Sequence, residues 1–216
     1  HTRCSRDWSS DVCSSDLDPD KHRVALAQLR GGLDRLSRLT HQLLTLARAE
    51  PGALAEGSFD LCDWRALCHE VGMRELRAHL DAGQDLAFEG DVPVWVRGDA
   101  LLLQELLANV LHNARRYAGP EAHVTVHIDT VGPQAVLTVS DDGPGVPAAE
   151  LGRLTERFHR APGAAPGGSG LGLAIVDEIA RLHGGEVHVD ARAPQGLQVT
   201  VRLPAQAAPS RASVAP

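Results

Sequence analysis

The chain has 216 residues, of which 43% are hydrophobic and 23% are charged, as in a folded protein with a substantial core. Its formal net charge of −7, from 21 basic and 28 acidic residues, argues against nucleic acid or an anionic membrane as the main partner. No apolar run is long enough to span a bilayer and no secretory signal pattern is seen, so we expect this chain itself to make no membrane contact.

The first seventeen residues, HTRCSRDWSSDVCSSDL, resemble the translation of a short-read sequencing adapter. We therefore exclude residues 1–17 from the fold prediction and expect them to be disordered. Natural sequence is then expected upstream of Asp18. Without the two cysteines of this segment, only Cys62 and Cys68 remain, and their spacing predicts neither a zinc site nor a disulfide framework.

Residues 18–50 carry a heptad pattern that predicts one long helix over 20–50. The positions that form the seam are Leu26, Leu29, Leu33, Leu36, Thr40, Leu43 and Ala47. So narrow an apolar seam favours partner helices, and we interpret the helix as one half of a dimerisation hairpin. A helix packed on its own domain is the alternative. Pro51 and Gly52 end the helix and begin a linker over 51–57.

The remainder predicts an alternation of strands and helices over 58–204. Strands are expected at 59–61, 85–89, 93–97, 122–130, 134–141, 186–191 and 197–203, and helices at 64–81, 100–116, 147–157 and 171–183. Asp63 and Asp99 are the predicted caps of the first two helices. Residues 161–169 are small and turn-rich, which indicates a mobile loop. A disordered Ala/Pro/Ser tail is expected from Ala205.

Helix 100–116 carries the first candidate site residues. Asn109 and Asn113 are four residues apart, so they share a face that is otherwise apolar. An asparagine oxygen is a suitable hard ligand for Mg²⁺, which proteins hold with few oxygens besides water and phosphate. Arg116 and Tyr117 follow at the helix end, where a cation and a ring could meet a nucleotide. Taken alone, the asparagines could equally be capping or core residues.

The second candidate is the strand end Ser140-Asp141-Asp142-Gly143-Pro144-Gly145. A carboxylate at Asp141, in a pocket, can accept a hydrogen bond from an adenine amino group. Gly143 and Gly145 would let the backbone pass close to a flat base. An Asp-Gly turn without function is the alternative.

The third candidate is a glycine-rich entry into a helix, formed by Gly168, Gly170, Leu171 and Gly172. Free N–H groups and the helix dipole make such a start a phosphate site. A Rossmann fingerprint is excluded because a Pro/Gly loop precedes the glycines and their spacing differs. The single lysine, Lys21, lies in neither a Walker A loop nor a kinase strand, which excludes those two ATP-binding classes.

Together the three motifs resemble the ATP-binding domain shared by sensor histidine kinases and the gyrase, Hsp90 and MutL ATPases. LLLQELLANVLHNARRYA is similar to the N box of the histidine kinases, DDGPGVP to their first glycine box, ERFHR to their F box and GGSGLGLAIVDEIARLHGGEV to their second glycine box. LDRLSRLTHQLLTLAR resembles the second helix of their dimerisation hairpin. The resemblance covers about 20–204 and implies an α/β (α+β) two-layer sandwich with a mixed sheet and helices on one face.

By this resemblance, Asn113 would bind the magnesium that bridges the phosphates, and Asn109 would occupy the place of a catalytic glutamate in related ATPases. Arg116 would act beside them on the phosphates, and Tyr117 would contact the nucleotide.

Asp141 would read the adenine amino group, with Gly143 and Gly145 shaping that wall of the site. Arg160 would reach the phosphates from a lid. The hinge and phosphate-facing turn of that lid would comprise Gly168, Gly170, Leu171 and Gly172. The implied cofactors are ATP and Mg²⁺.

Three residues depart from the family's pattern, and so does the phosphoacceptor. Thr155 replaces a common phenylalanine, which predicts weaker lid anchoring, His159 replaces a tyrosine, and Arg116 replaces a lysine. None of the eleven histidines has the expected motif of His, an acidic residue and Leu-Arg-x-Pro, and His41 lies in the second hairpin helix. We expect the acceptor upstream of Asp18.

The resemblance implies that the parent protein transfers the ATP γ-phosphoryl group to a histidine and then to an aspartate of a response-regulator receiver domain. It further implies a homodimer formed through the helical hairpin. The domain is expected on the cytoplasmic side, with a membrane anchor in upstream segments. Two alternatives remain: a non-catalytic nucleotide-binding or dimerisation module, and a serine-kinase relative of the anti-sigma type, which the long heptad helix disfavours.

Overall fold

The computed structural model describes residues 59–165 and 168–209, all of which belong to the second of the two units into which the chain divides, Gln42–Pro216. The adapter-like segment 1–17, the heptad helix 20–50 and the linker 51–57 lie outside the described residues and stay predictions. None of the helices in the described ranges is long and apolar enough to cross a membrane.

A five-stranded mixed sheet forms the centre of the fold, with the strand order β2-β4-β5-β7-β6. These strands are β2 (Asp85–Glu89), β4 (His123–Val131), β5 (Gln134–Asp141), β6 (Glu186–Ala191) and β7 (Leu197–Pro204). β2 runs parallel to β4, and the other neighbours are antiparallel. A separate antiparallel ribbon joins β1 (Asp60–Asp63) to β3 (Trp95–Gly98).

Four helices accompany the sheet: α1 (Trp64–Asp81), α2 (Ala100–Tyr117), α3 (Ala148–Leu151) and α4 (Gly172–Leu182). The two predicted caps are confirmed. Asp63 accepts a hydrogen bond from the amide of Ala66 at 3.2 Å, and Asp99 accepts from the first amides of α2 at 2.8 and 3.1 Å. Each cap fills backbone donors that the helix itself leaves without partners.

The core lies between the helices and one face of the sheet. Alternate residues of a strand point to the same face, and in β5 the buried set is Ala135, Leu137 and Val139. Asp141 continues this alternation and is therefore buried on the helix-facing side at the end of the strand. The largest apolar contribution comes from α2, where seven residues are buried. This arrangement confirms the predicted sandwich.

Most bounds agree with the sequence prediction within two residues, and larger differences occur at two places. The helix expected over 147–157 ends at Leu151, because Gly152 follows and the next amides bond three residues back, as in successive turns. The expected start of the tail at Ala205 is also wrong. Ala205 donates to Pro133 O at 2.9 Å and Gln206 donates to Trp95 O at 2.8 Å, so the ordered backbone continues past β7.

Candidate nucleotide site

The two asparagines of α2 are both half-buried and lie one turn apart. The Asn109 amide donates to Glu105 O at 2.9 Å, so part of its bonding capacity serves its own helix. Asn113 lies one turn nearer the helix end and meets a different segment. The two predicted residues therefore differ: Asn109 hydrogen-bonds to its own helix, whereas Asn113 faces a neighbouring element.

That element is the start of α4. A methyl group placed on Gly172 would lie 3.1 Å from Asn113 Oδ1 and 3.2 Å from Nδ2. Contacts this short leave little room for any side chain at Gly172. The glycine thus lets the first turn of α4 approach the Asn113 amide, so two of the predicted site residues meet directly.

Asp141 is 8% exposed, and its Oδ1 accepts two backbone hydrogen bonds. One comes from Gly143 N at 3.0 Å and a longer one from Leu197 N at 3.4 Å. Burial raises the pKa of the Asp141 carboxyl, against the two amide bonds and the charge of Arg192, which lower it. Both bonds end on Oδ1, so they orient the carboxylate and thereby fix the direction in which Oδ2 can accept a further hydrogen bond.

Gly143 and Gly145 allow the loop after Asp141 to pack closely against two other segments. A methyl group on Gly143 would lie 2.5 Å from Ala118 Cα and 2.6 Å from Ala118 O, so the loop presses on the residue that ends α2. Gly145 has a φ of +69° and its Cα faces Gly196 O. Gly196 in turn packs against the Asp141 carbonyl. The strand-end loop is therefore fixed on two sides by backbone.

The lid segment, of which the structure describes residues 158–165 and 168–170, meets the same end of α2. A methyl group on Gly168 would contact Tyr117 Oη and would lie 3.5 Å from Arg116 Nε and 3.7 Å from Arg160 Nε. The Arg116 guanidinium lies 5.7 Å from the centre of the Tyr117 ring, a cation–π distance. Three predicted site residues thus lie around Gly168, which is itself a fourth.

Two candidates in the lid are oriented differently from the expectation. The Arg160 guanidinium donates to Ala164 O at 3.2 Å and to Ala165 O at 2.6 Å, so in this structure it stabilises the lid's own loop. Leu171 is 1% exposed and its side chain belongs to the core. Only its backbone can face a ligand, and its N–H donates to Ser169 Oγ at 3.2 Å.

Backbone contacts hold Gly170, just before α4, against Phe158 and His159. Phe158 N donates to Gly170 O at 2.9 Å, which joins the two ends of the lid segment. Gly170 has a φ of +70°, and a methyl group there would lie 2.6 Å from Phe158 C and 2.8 Å from His159 O. Glycine is required at this position for both reasons.

All three predicted motifs converge on residues 113–118 of α2 and its cap. Asn113 meets Gly172, Tyr117 meets Gly168, and Ala118 meets Gly143. Five residue steps along a helix span only about 7.5 Å. The glycine loop, the strand-end loop and the asparagine helix therefore surround one small region, which combines amides, a carboxylate and cations.

Several supporting residues were not predicted from the sequence. Gly196 packs on Asp141, Gln84 donates to the carbonyls at the end of α2, and His159 contacts Glu150 at 2.8 Å. The Pro194-Gln195-Gly196 run indicates a turn, but no local pattern shows which strand it meets. The other contacts join segments that are distant in sequence or irregular in backbone.

The chain is similar to known ATPases and sensor kinases. The family model described as histidine kinase-, DNA gyrase B-, and HSP90-like ATPase matches residues 98–207, just over half of the chain. The sensor protein kinase PmrB of Pseudomonas aeruginosa is 35% identical over 189 residues, which cover 87% of this chain and 39% of PmrB. The matched range contains every candidate site residue.

Solved structures show the same fold. A mycobacterial sensor histidine kinase, MprB, is 32% identical with a TM-score of 0.61, covering 69% of this chain and 100% of the MprB chain. Full-length ShkA, solved in complex with AMPPNP, is 26% identical with a TM-score of 0.72 and covers 90% of this chain and 41% of ShkA.

This chain spans less than half the length of the curated relatives it matches. The part that matches the family model contains the asparagine helix, the strand-end aspartate and the glycine loop of this chain. The chain therefore belongs to the family of histidine kinase-, DNA gyrase B- and HSP90-like ATPases, and it carries the ATP-binding catalytic domain of a sensor histidine kinase.

Proposed function

We propose that this chain binds Mg·ATP between α2, the Asp141 loop and the lid, and presents the γ-phosphoryl group to a histidine on a separate helical hairpin. The observation behind this proposal is the convergence of three motifs on residues 113–118. Phosphoryl transfer requires mainly positioning and charge neutralisation, and the side chains gathered there can supply both.

Asp141 is suited to select adenine. Its Oδ1 is held by Gly143 and Leu197, so Oδ2 is the atom that can accept the exocyclic amino group of the base. The carboxylate is almost completely buried, so a base without that donor would leave a desolvated acceptor unpaired, at a cost of about 1–3 kcal/mol. Gly143 and Gly145 keep the adjacent wall free of side chains.

The residues present also fit a magnesium ion. Asn113 offers a hard amide oxygen beside the first turn of α4, where backbone N–H groups lack intrahelical partners and attract phosphate. Mg²⁺ needs only one or two protein oxygens when phosphates and water complete its coordination. When bound, the ion would neutralise charge on the phosphates. Asn113 would hold it, with Asn109 one turn away on the same helix.

The cations at the lid would act on the phosphates. The side chains of Arg116 and Arg160 both lie near Gly168, as does the Tyr117 hydroxyl. To contact a phosphate, Arg160 would exchange its bonds to Ala164 O and Ala165 O for bonds to phosphate oxygen. Backbone amides at Gly170, Leu171 and Gly172 would complete the phosphate-facing turn.

The acceptor and partners of the whole protein belong to this proposal as well. None of the eleven histidines has the expected acceptor motif, so transfer would need a hairpin supplied to this chain. We propose a homodimer formed through that hairpin, relay to a response-regulator receiver domain, and a parent protein anchored in the membrane with this domain on the cytoplasmic side. Support comes from the named relatives, which are sensor proteins.

A transfer assay tests the function. The chain is mixed with a histidine kinase hairpin that carries the acceptor histidine, in the presence of Mg²⁺ and γ-labelled ATP. Label is expected on the hairpin, and it should disappear when the acceptor histidine is replaced by glutamine or when Asn113 is replaced by alanine. Nucleotide binding without label on any hairpin offered would contradict the kinase proposal and favour the non-catalytic nucleotide-binding module. Label on a serine would favour the anti-sigma type.

A further inference from the structure

Gln84 is 1% exposed and joins the ends of two helices, one through its backbone and the other through its side chain. Its backbone N–H donates to His79 O at 3.0 Å, in the last turn of α1. Its side-chain Nε2 donates to Arg115 O at 3.1 Å and to Gly119 O at 2.7 Å, at the end of α2. The side-chain amide has two protons, and each carbonyl takes one.

These two hydrogen bonds lie on either side of residues that belong to the proposed nucleotide site. Residues 116–118 lie between the two carbonyls, and they are the residues that meet the lid at Gly168 and the Asp141 loop at Gly143. The last carbonyls of a helix have no partners within the helix, so this part of the backbone depends on outside donors. Gln84 supplies one such donor to Arg115 O and a second donor to Gly119 O, just beyond the cap, from a single buried side chain.

We propose that Gln84 is a positioning residue for nucleotide binding. It holds the backbone of residues 116–118 in the conformation that places Arg116 and Tyr117 against the lid. It acts through Arg115 O and Gly119 O and does not itself touch the nucleotide. The inference rests on the nucleotide site proposed above, and it assigns a function to a glutamine that none of the three sequence motifs contains.

The test compares variants of the full 216-residue chain. Gln84→Met keeps the side-chain length but removes both donors, whereas Gln84→Asn keeps the amide on a shorter side chain. Val126→Ala, a truncation in the fully buried middle of β4, is the control for a general loss of stability. Urea unfolding and the Kd for Mg·AMPPNP are measured for each, under conditions where all are folded.

The loss of nucleotide affinity in the Gln84 variants should exceed what their loss of stability alone would cause. We expect Gln84→Met to weaken Mg·AMPPNP binding at least fivefold and Gln84→Asn to fall between it and the wild type. Val126→Ala should lower stability but keep the wild-type Kd within twofold. If Gln84→Met does not fold, the comparison of Gln84→Asn with Val126→Ala decides in the same way.

A spectroscopic signal tests the positioning directly. Tyr117 is the only tyrosine of the chain, so 3-fluorotyrosine labelling gives a single ¹⁹F resonance from the stretch that Gln84 brackets. Without nucleotide, this resonance should move or broaden in the Gln84 variants and stay unchanged in Val126→Ala. A purely structural role of Gln84 would move it no more than the Val126 control does.

Two results would overturn the proposal. One is a wild-type Kd and an unmoved ¹⁹F resonance in both Gln84 variants. The other is a loss of affinity in Val126→Ala that matches Gln84→Met at equal loss of stability. Failure of the wild-type chain to bind Mg·AMPPNP would instead contradict the proposed function, and the role of Gln84 with it. The two failures are distinguished because the first appears only in the variants and the second already in the wild type.

Discussion

The imidazole of His183 joins the end of α4 to the start of α2. Its Nε2 accepts a hydrogen bond from the amide of Asp99 at 3.1 Å, and its Nδ1 donates to Ile179 O at 2.7 Å. Both bonds require the neutral ring with its proton on Nδ1. Phe59 stacks on the ring with centroids 4.6 Å apart. Burial lowers the pKa of His183, so the neutral form is the one built into the fold.

Stability should therefore fall as the pH drops below about neutrality. Above the ordinary value of 6.5, His183 is neutral in both folded and unfolded chains, and its full contribution is present. Below 6.5 the unfolded chain takes up the proton first, and stability is lost until the folded pKa is passed. Buried His79, whose pKa is also lowered by burial, acts in the same direction.

Urea unfolding between pH 7.5 and 5.5 checks this expectation. His183→Gln should be less stable than the wild type at pH 7.5, because the ring's bonds and stacking are lost, but its stability should decline less on acidification. An equal decline in both proteins would show that His183 does not titrate as proposed.

Gly143 and Gly152 form a matched pair for testing the strand-end loop. Alanine at Gly143 would collide with Ala118 backbone at 2.5 Å, whereas alanine at Gly152 meets nothing within 4 Å. We expect Gly143→Ala to cost about 1–3 kcal/mol of unfolding free energy and to weaken nucleotide binding. Gly152 has helical φ and ψ of −66° and −13°, so alanine there should be neutral or stabilise by up to about 1 kcal/mol. Equal effects of the two substitutions in urea unfolding would contradict the packing described.

Glu150 and His159 anchor the lid near the position where Thr155 replaces an aromatic residue. Their side chains are 19% and 11% exposed and 2.8 Å apart. A hydrogen bond to a charged group contributes about 1.5–3 kcal/mol, whereas the more exposed Arg157–Glu178 pair at 3.5 Å should contribute less than about 1 kcal/mol.

Limited trypsin digestion measures this anchoring at Arg160. Cleavage of a locally opened segment follows the population of the open form, so Glu150→Ala should accelerate it roughly tenfold. Glu178→Ala serves as the control and should accelerate it much less. The same rate in both variants would mean that the Glu150–His159 contact does not hold the lid.

Nucleotide affinity should depend on the ionisation of Asp141. Burial raises the pKa of this carboxyl above its ordinary 3.8, and the ionised form is the stronger acceptor for an adenine amino group. Affinity for Mg·ATP should therefore weaken on acidification, and the loss should begin at a higher pH than an ordinary carboxyl would cause. Calorimetric titrations at stepped pH values should show this loss relative to purine riboside triphosphate, which lacks the amino group but shares the titration of the phosphates. A constant ratio of affinities across the series would rule the mechanism out.

The sequence was sufficient where local pattern decides the structure. The start of α2 followed from the Asp99 cap and the apolar spacing after it, and Asp141 could be placed at a strand end because it closes an alternating run. Two of the three motifs were recognisable because glycine is required where backbone must approach closely, and the third by two asparagines on one apolar helix face. Their order along the chain then indicated a common nucleotide site.

The sequence was insufficient where tertiary contact decides. Helical propensity after Pro147 predicted a helix to 157, but the chain turns at Gly152 and Phe158 adopts a φ of +64° to close the lid against Gly170. The inward turn of Arg160 onto its own loop, and the bonds of Gln84 to α2, involve partners that no local spacing identifies. Leu171 belonged to a binding motif, yet its side chain is part of the core.

The most direct measurement is a calorimetric titration of the chain with Mg·ATP. We expect a Kd in the micromolar-to-millimolar range, roughly −8 to −4 kcal/mol. Asn113→Ala and Asp141→Asn should each abolish binding, although they act on opposite ends of the nucleotide. Asp142→Asn, in the same loop but bonded to His123, should retain it. Wild-type affinity in both Asn113→Ala and Asp141→Asn would contradict the assignment of a single nucleotide site around residues 113–118.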